Sequence, residues 1–480
     1  MPRRFILFEL NEVPVRVVRH FAERHPRSAF AKVLNFGRCM ETVTPDKGHL
    51  SPWITWPTLH RGVDSTRHHI FALGQDVAEV DAQFPPVWAL LAKSGRRVGL
   101  FGSLHSYPLP QDTSGYDFYV PDTFAAGAEA KPAELSAFQA FNLRMVDRSG
   151  RNVSSELPVR DALTFLTRAL PSGVRPATLA KIARQVASER IWRDRVGRRR
   201  TIQSLLAFDL FMAQLESKRP DAAFFFTNHV ASSMHRYWPA TFRDDYRETE
   251  WSAQWVRRFS GELDYTMSEA DQMLSELMAF ADRHPDTIVL VAGSMGQAAV
   301  DSPRKQIKTE VLLRDMDRFL AALGVRGGWK RRRTMEPTYT LSFDEAASAE
   351  AFMEAIGQLK IAGEPVDAKR LDANGVEFVL GQPNVREADF TVTLGNRSLE
   401  PAEAGLRNVM IDDEVGSAAY HIPEGMLLAY DPRLPGGRRE HVQVSTTRIA
   451  PTLLALQGIA PPAYMDRPIQ QLLESELEAA

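Results

Sequence analysis

Cysteine is nearly absent: Cys39 stands alone, so no intrachain disulfide can form. That suits a reducing compartment and leaves a buried, inert thiol as the expected role. Long apolar runs are missing too. None approaches the roughly 20 residues that cross a bilayer. The N-terminal "RRFILFEL" is a strand by residue 5; its apolar run is too short for a secretion signal and Glu9 interrupts it. A cytoplasmic location with no transmembrane segment is therefore expected. Charge of one sign is also lacking. The formal net charge is −2, so no global field draws nucleic acid or a membrane. There is no internal repeat and no low-complexity stretch.

What is present is a chain of 480 residues, 44% hydrophobic and 25% charged, globular in composition and too long for one ordinary core. Residues 4–10 read as a buried strand and 12–24 as an amphipathic helix. "VWALLAKSGRRVGLFGS" (87–103) is a helix, a glycine stop at Gly95, then a strand. "DAAFFFTNH" (221–229) and "DTIVLVAGS" (286–294) are further buried strands, joined by a long amphipathic helix at about 250–284. Strand and helix in alternation predict an α/β fold, a mostly parallel central sheet with helices on both faces. Two stretches break the rhythm. Residues 125–217 read as a helical insertion or cap. Its arginines Arg193, Arg195, Arg198, Arg199 and Arg200 form either a solvated helix face or an anion-binding rim. Residues 335–400 read as a small α+β insertion, preceded by a basic linker, "KRRR" (330–333). The α/β core then comprises 1–124, 218–334 and 401–480.

Chemistry-bearing residues gather where strands end, the usual site edge of an open α/β sheet. "SPWITWPTLHRGVDSTRHH" (51–69) brings Thr55, Thr58 and Thr66 near His60, His68 and His69, hydroxyls that imidazoles could activate. The surrounding residues 40–75 read as a long loop or short helix. "FFFTNHVASSMHRYWP" (224–239) runs a strand into Asn228, His229 and His235, the histidines being candidate metal ligands. His421 precedes a turn in "SAAYHIPEG", and "TTRIAPTLLALQG" (446–458) is a capped helix closed by Gly458. By contrast, "TIVLVAGSMGQ" (287–297) ends in a loop that offers only Ser294 and Met295.

In order, these pieces resemble the alkaline phosphatase superfamily, in particular its phosphodiesterase/nucleotide pyrophosphatase branch. "PWITWP" resembles the nucleophile segment, which implies Thr55 as the nucleophilic threonine. "HRYWP" and "YHIPEG" are similar to segments that carry metal-ligand histidines, implying that role for His235 and His421. "TRIAPTLLALQGIAPPAYMDRP" is similar to the terminal motif of the branch. The resemblance spans most of the chain outside the two insertions. It implies two divalent cations that activate the nucleophile and clamp a phosphoryl group.

Against that pattern the sequence departs at several positions. Asn11 stands where the first-strand aspartate is expected, with Glu9 and Glu12 beside it. Ala231 stands four residues before His235, where another aspartate belongs. Ser294 and Met295 replace an Asp-His pair. Neutral amides and hydroxyls bind divalent cations poorly, and a thioether suits Cu(I) rather than Zn²⁺ or Mn²⁺. The resemblance therefore implies at most one cation, zinc or manganese, held by His235 and His421 with His229 or Asn228 as a third donor; a protein without metal is the other expectation. Glu9, His60, His68, His69 and His105 are candidate phosphate or substrate contacts. Two functions stay open. One is an atypical phosphodiesterase, phosphohydrolase or phosphoryl-transfer enzyme. The other is an inactive relative that binds a phosphorylated or glycan ligand, or a partner protein, in the old cleft.

Overall fold

The computed structural model describes residues 2–149, 173–246, 251–300, 308–332, 334, 337–386, 390–410, 418–434 and 442–473. Part of the expected helical insertion, 150–172, lies outside the described residues. The main sheet has strands β1 (Arg4–Leu10), β2 (Arg38–Val43), β3 (Val98–Phe101), β4 (Tyr116–Val120), β5 (Ala222–Thr227) and β6 (Thr287–Ala292). A short strand outside it, β7 (Gly296–Ala299), pairs antiparallel with β8 (Ala419–Ile422). The main sheet is completed by β9 (Glu424–Tyr430) and β10 (Val442–Ser445), in the order β10-β2-β9-β6-β1-β5-β3-β4. All its neighbours are parallel except those of β9, which runs antiparallel to β2 and β6.

The unbroken apolar runs have their reason in this topology. β1 lies between β5 and β6, with Phe8 opposite Phe225 on one side and Val291 on the other. Its alternate side chains enter two cores. Ile6, Phe8 and Leu10 face one layer, while Phe5 and Leu7 face the other. Helices cover both layers. On the first lie α3 (Arg199–Lys218), α4 (His229–Thr241) and α5 (Glu262–Arg283). On the second lie α2 (Pro52–Arg61) and α6 (Ile449–Leu456). α1 (Val15–Arg24) follows the turn after β1.

Some boundaries differ from the sequence reading. The segment at 250–284 is two helices, Ala253–Phe259 and α5, parted at Ser260–Gly261. Within the expected basic linker, Lys330–Arg332 belong to a strand, Trp329–Arg332, paired with Thr338–Phe343. The small unit has a core of its own, running from Val311 to Leu406. Thr309–Leu313 pairs with Leu406–Met410 and buries Val311 in that core. Within the helical stretch, α3 packs Phe208 and Phe211 on Phe225 of the sheet, so it forms a layer of the main core. Arg198 and Arg199 bridge helices through Glu262 and Glu189.

Candidate metal centre

β1 ends in a tight turn at Asn11–Glu12. Glu12 is buried and has φ 60, a left-handed conformation that costs a non-glycine residue about 1–3 kcal/mol. Its carboxylate meets two imidazoles. Glu12 Oε2 lies 3.1 Å from His235 Nε2 and 3.3 Å from His421 Nε2. His235 comes from the second turn of α4, His421 from β8. Helix and strand are tied together, since the Ala418 N–H donates to the His235 carbonyl at 2.8 Å. Among the described residues, Glu12, His235 and His421 bring one donor atom each within 4.8 Å of one another.

The outer ring nitrogens fix what the inner ones do. His235 Nδ1 donates to the Ala419 carbonyl at 2.8 Å, and His421 Nδ1 to the Leu50 carbonyl at 2.7 Å. A carbonyl only accepts, so each Nδ1 carries the proton. In the neutral ring, each Nε2 then presents a lone pair to a carboxylate oxygen. Such an arrangement needs a positive charge between the groups, either a proton or a cation. Burial by itself would raise the Glu12 carboxyl, yet the charges of His421 and His235 and their hydrogen bonds hold it well below the usual carboxylate range. Burial opposes charge on His421, but Glu12 raises its pKa above the usual imidazole value. One carboxylate and two oriented imidazoles are the donor set of a zinc site with an open position, so the residues fit a divalent cation.

The other expected donors are placed differently. His229 is directed into the core: Nδ1 meets Thr227 Oγ1 at 2.7 Å and Nε2 the Thr266 carbonyl at 3.2 Å. Burial pushes its pKa down to about 4. Both nitrogens are engaged, and the third residue beside His235 and His421 is Glu12. Asn228 accepts from Asn11 Nδ2 at 2.7 Å. The resemblance places its carboxylate at position 11; the signal for Glu12 is the acid one residue further on.

The residues at which the resemblance implies a second cation are filled by neutral contacts. Thr55, in α2, lies 2.8 Å from Ser294 Oγ and 3.2 Å from the Ser51 carbonyl. Asn11 Oδ1 accepts from Trp56 Nε1 at 2.7 Å. Met295 is fully buried. The expected phosphate contacts are also engaged internally. Glu9 and His60 form a buried pair at 2.7 Å, with Ser103 donating to the other Glu9 oxygen. His68 Nδ1 accepts from the Ile70 N–H, so its Nε2 donates to Thr58, which in turn donates to Asp46. His105 donates to the Trp53 carbonyl. Burial pushes both His68 and His105 down to about 3. His69 is exposed and caps a short helix. None of these joins the Glu12 cluster.

No family model matches the chain, and no curated protein matches its sequence. Among solved structures, murine ectonucleotide pyrophosphatase/phosphodiesterase 5, inactive and in complex with AMP, aligns at 10% identity over 97% of each chain, with a TM-score of 0.41. Wild-type alkaline phosphatase PafA aligns at 12% identity over 99% of this chain and 100% of its own, with a TM-score of 0.44. At this identity and TM-score, neither transfers a residue's role to this chain.

Proposed function

We propose that the chain is a single-metal enzyme of phosphoester cleavage or phosphoryl transfer, an atypical relative of the alkaline phosphatase superfamily. The observation that carries this reading is the convergence of Glu12, His235 and His421 with both Nδ1 protons committed to carbonyls. These three residues would hold one divalent cation, zinc or manganese. When bound, such an ion supplies Lewis-acid polarisation of a phosphoryl oxygen. Thr55 stands in the first half of α2, whose positive end favours an anionic group. Its hydroxyl is the proposed nucleophile or substrate contact. The ligand would be a phosphorylated small molecule. The lone cysteine supports a reducing, cytoplasmic setting.

A second reading has its own observation. Thr55 and Ser294 are fully buried against each other, and among the described residues neither hydroxyl has a carboxylate or imidazole partner. That favours a non-catalytic protein that binds a phosphorylated or glycan ligand. Metal analysis of the purified protein, with a screen of aryl phosphate mono- and diesters in added Zn²⁺ and Mn²⁺, separates the two. Bound metal with turnover supports the enzyme. Bound metal with no turnover and a detectable phosphorylated ligand supports the binder. No metal and no turnover removes the first reading.

A further inference from the structure

The Glu12 carboxylate is held from outside as well as from within. Its Oε1 accepts from Asn11 Nδ2 at 2.8 Å, and its Oε2 accepts from Gln297 Nε2. Each oxygen thus takes one amide N–H, and Oε2 is also the oxygen that faces both histidines. Gln297 reaches it by strand register. It stands directly across from His421 in the β7–β8 pair, so both side chains leave the ribbon on the same face.

The orientation of each amide follows from its other partners. The Trp56 indole N–H can only donate, so the atom it meets at 2.7 Å must be the oxygen of Asn11. The nitrogen of Asn11 then faces Glu12, with its second proton on Asn228 Oδ1. Gln297 Nε2 also lies 3.2 Å from the Ala231 carbonyl. Turning that amide over would set its oxygen against two acceptors, a carbonyl and a carboxylate. The present orientation is kept although it leaves Gln297 Oε1 buried with no partner among the described residues. Such an orphan acceptor costs about 1–3 kcal/mol, so the two contacts made by the nitrogen decide the orientation.

Neutral donors suit this place. A lysine or arginine would pin the carboxylate equally well, but its charge would repel a divalent cation. An apolar pair would leave a buried glutamate free to rotate away from the histidines. Two amides fix the carboxylate and leave the positive charge to be supplied from between the imidazoles. We infer, on the reading of Glu12, His235 and His421 as a metal centre, that Asn11 and Gln297 are a carboxamide clamp that positions Glu12 for a single divalent cation. Asn11, at the position of the family's metal aspartate, here serves as an outer support of the remaining site. Ala231, at the position of the other aspartate, serves through its carbonyl, which anchors Gln297.

Zinc titration of the metal-free protein by calorimetry tests this, with the visible absorption of added cobalt(II) as a second readout. Wild type is expected to bind zinc. Gln297→Met and Asn11→Leu are each expected to weaken binding about 10–100-fold, the usual cost of losing an outer-shell partner, and to shift the cobalt bands. Zinc binding by the wild type with unchanged affinity and spectrum in folded Gln297→Met overturns the clamp alone, whatever happens to the melting temperature of the metal-free protein. No zinc binding by the wild type overturns the metal centre and the clamp together. Should Asn11→Leu fail to fold because Trp56 loses its acceptor, Gln297→Met and the shortened amide of Gln297→Asn decide the outcome.

Discussion

The hydroxyls of Thr55 and Ser294 lie 2.8 Å apart, both fully buried. An acid and an imidazole at 294 and 295 would hold a cation against Thr55; a serine offers it only a hydrogen bond. If Thr55 is the reacting hydroxyl, Thr55→Ala abolishes turnover of an aryl phosphate ester, while Thr55→Ser keeps a measurable rate. Ser294→Ala frees the threonine from one contact and changes the rate far less than Thr55→Ala. Comparison of kcat/KM across the three variants reads this out, and full activity in Thr55→Ala removes the residue as nucleophile.

If the proposed site holds a cation, its removal should act on stability as well as on activity. Glu12, His235 and His421 come from the end of β1, from α4 and from β8. A cation bound only by the folded chain therefore stabilises three separate elements at once. At a free concentration a hundred times its Kd it adds about 2.7 kcal/mol. A chelator should lower the melting temperature of the wild type and leave that of Glu12→Gln/His421→Ala unchanged. Equal melting temperatures of the wild type with and without chelator would remove the site.

Acid should loosen the fold before it reaches the usual carboxylate range. His229, pushed down to about 4 by burial, stays neutral in the folded chain while the unfolded chain takes up a proton near pH 6.5. Between these values the unfolded state binds more protons, so stability falls as the pH drops. The contribution is fully present above pH 6.5, and its loss by about pH 4 is on the order of 3 kcal/mol. His68 and His105, both pushed down to about 3, act in the same direction over a wider window. Urea melts at stepped pH should show this slope, and His229→Gln should flatten it. A slope unchanged in that variant would assign the acid sensitivity elsewhere.

The fold was legible wherever burial was two-sided and continuous. "RFILFEL", "AAFFFT" and "TIVLVA" can only be central strands, and they are. The helix carrying Thr55 was legible only as one of two alternatives, a long loop or a short helix. In α2 every residue except Trp53 is buried, so the apolar face that normally reveals a helix has no polar face to contrast with. The cluster around Glu12 was half legible. His235 and His421, singled out by motif, lie beside Glu12, whereas His229, at a strand's end, turns inward to Thr227 and Thr266. Glu12 depends on a left-handed turn that spacing alone does not announce.

Glu9 and His60 mark the line between site and scaffold. Their 2.7 Å contact is buried at both ends, 0% and 1% exposed, with Trp56 stacked on the imidazole and Trp88 set edgewise against it. A pair so enclosed meets no substrate, and its partners are core residues and Ser103. Removing one member strands the other: a buried polar group left without its partner costs about 1–3 kcal/mol. His60→Ala should therefore lower the unfolding free energy by that order, with Ser103 offering Glu9 partial relief. Glu9→Gln/His60→Ala should recover part of the loss, because an amide at position 9 can still meet Ser103 and is less costly to bury without the imidazole. Zinc stoichiometry should be the same in the wild type and in both variants, since neither residue touches Glu12, His235 or His421. Denaturant melts give the energies and metal analysis the stoichiometry. A variant that keeps its stability but loses its metal would move Glu9 and His60 from the scaffold into the site.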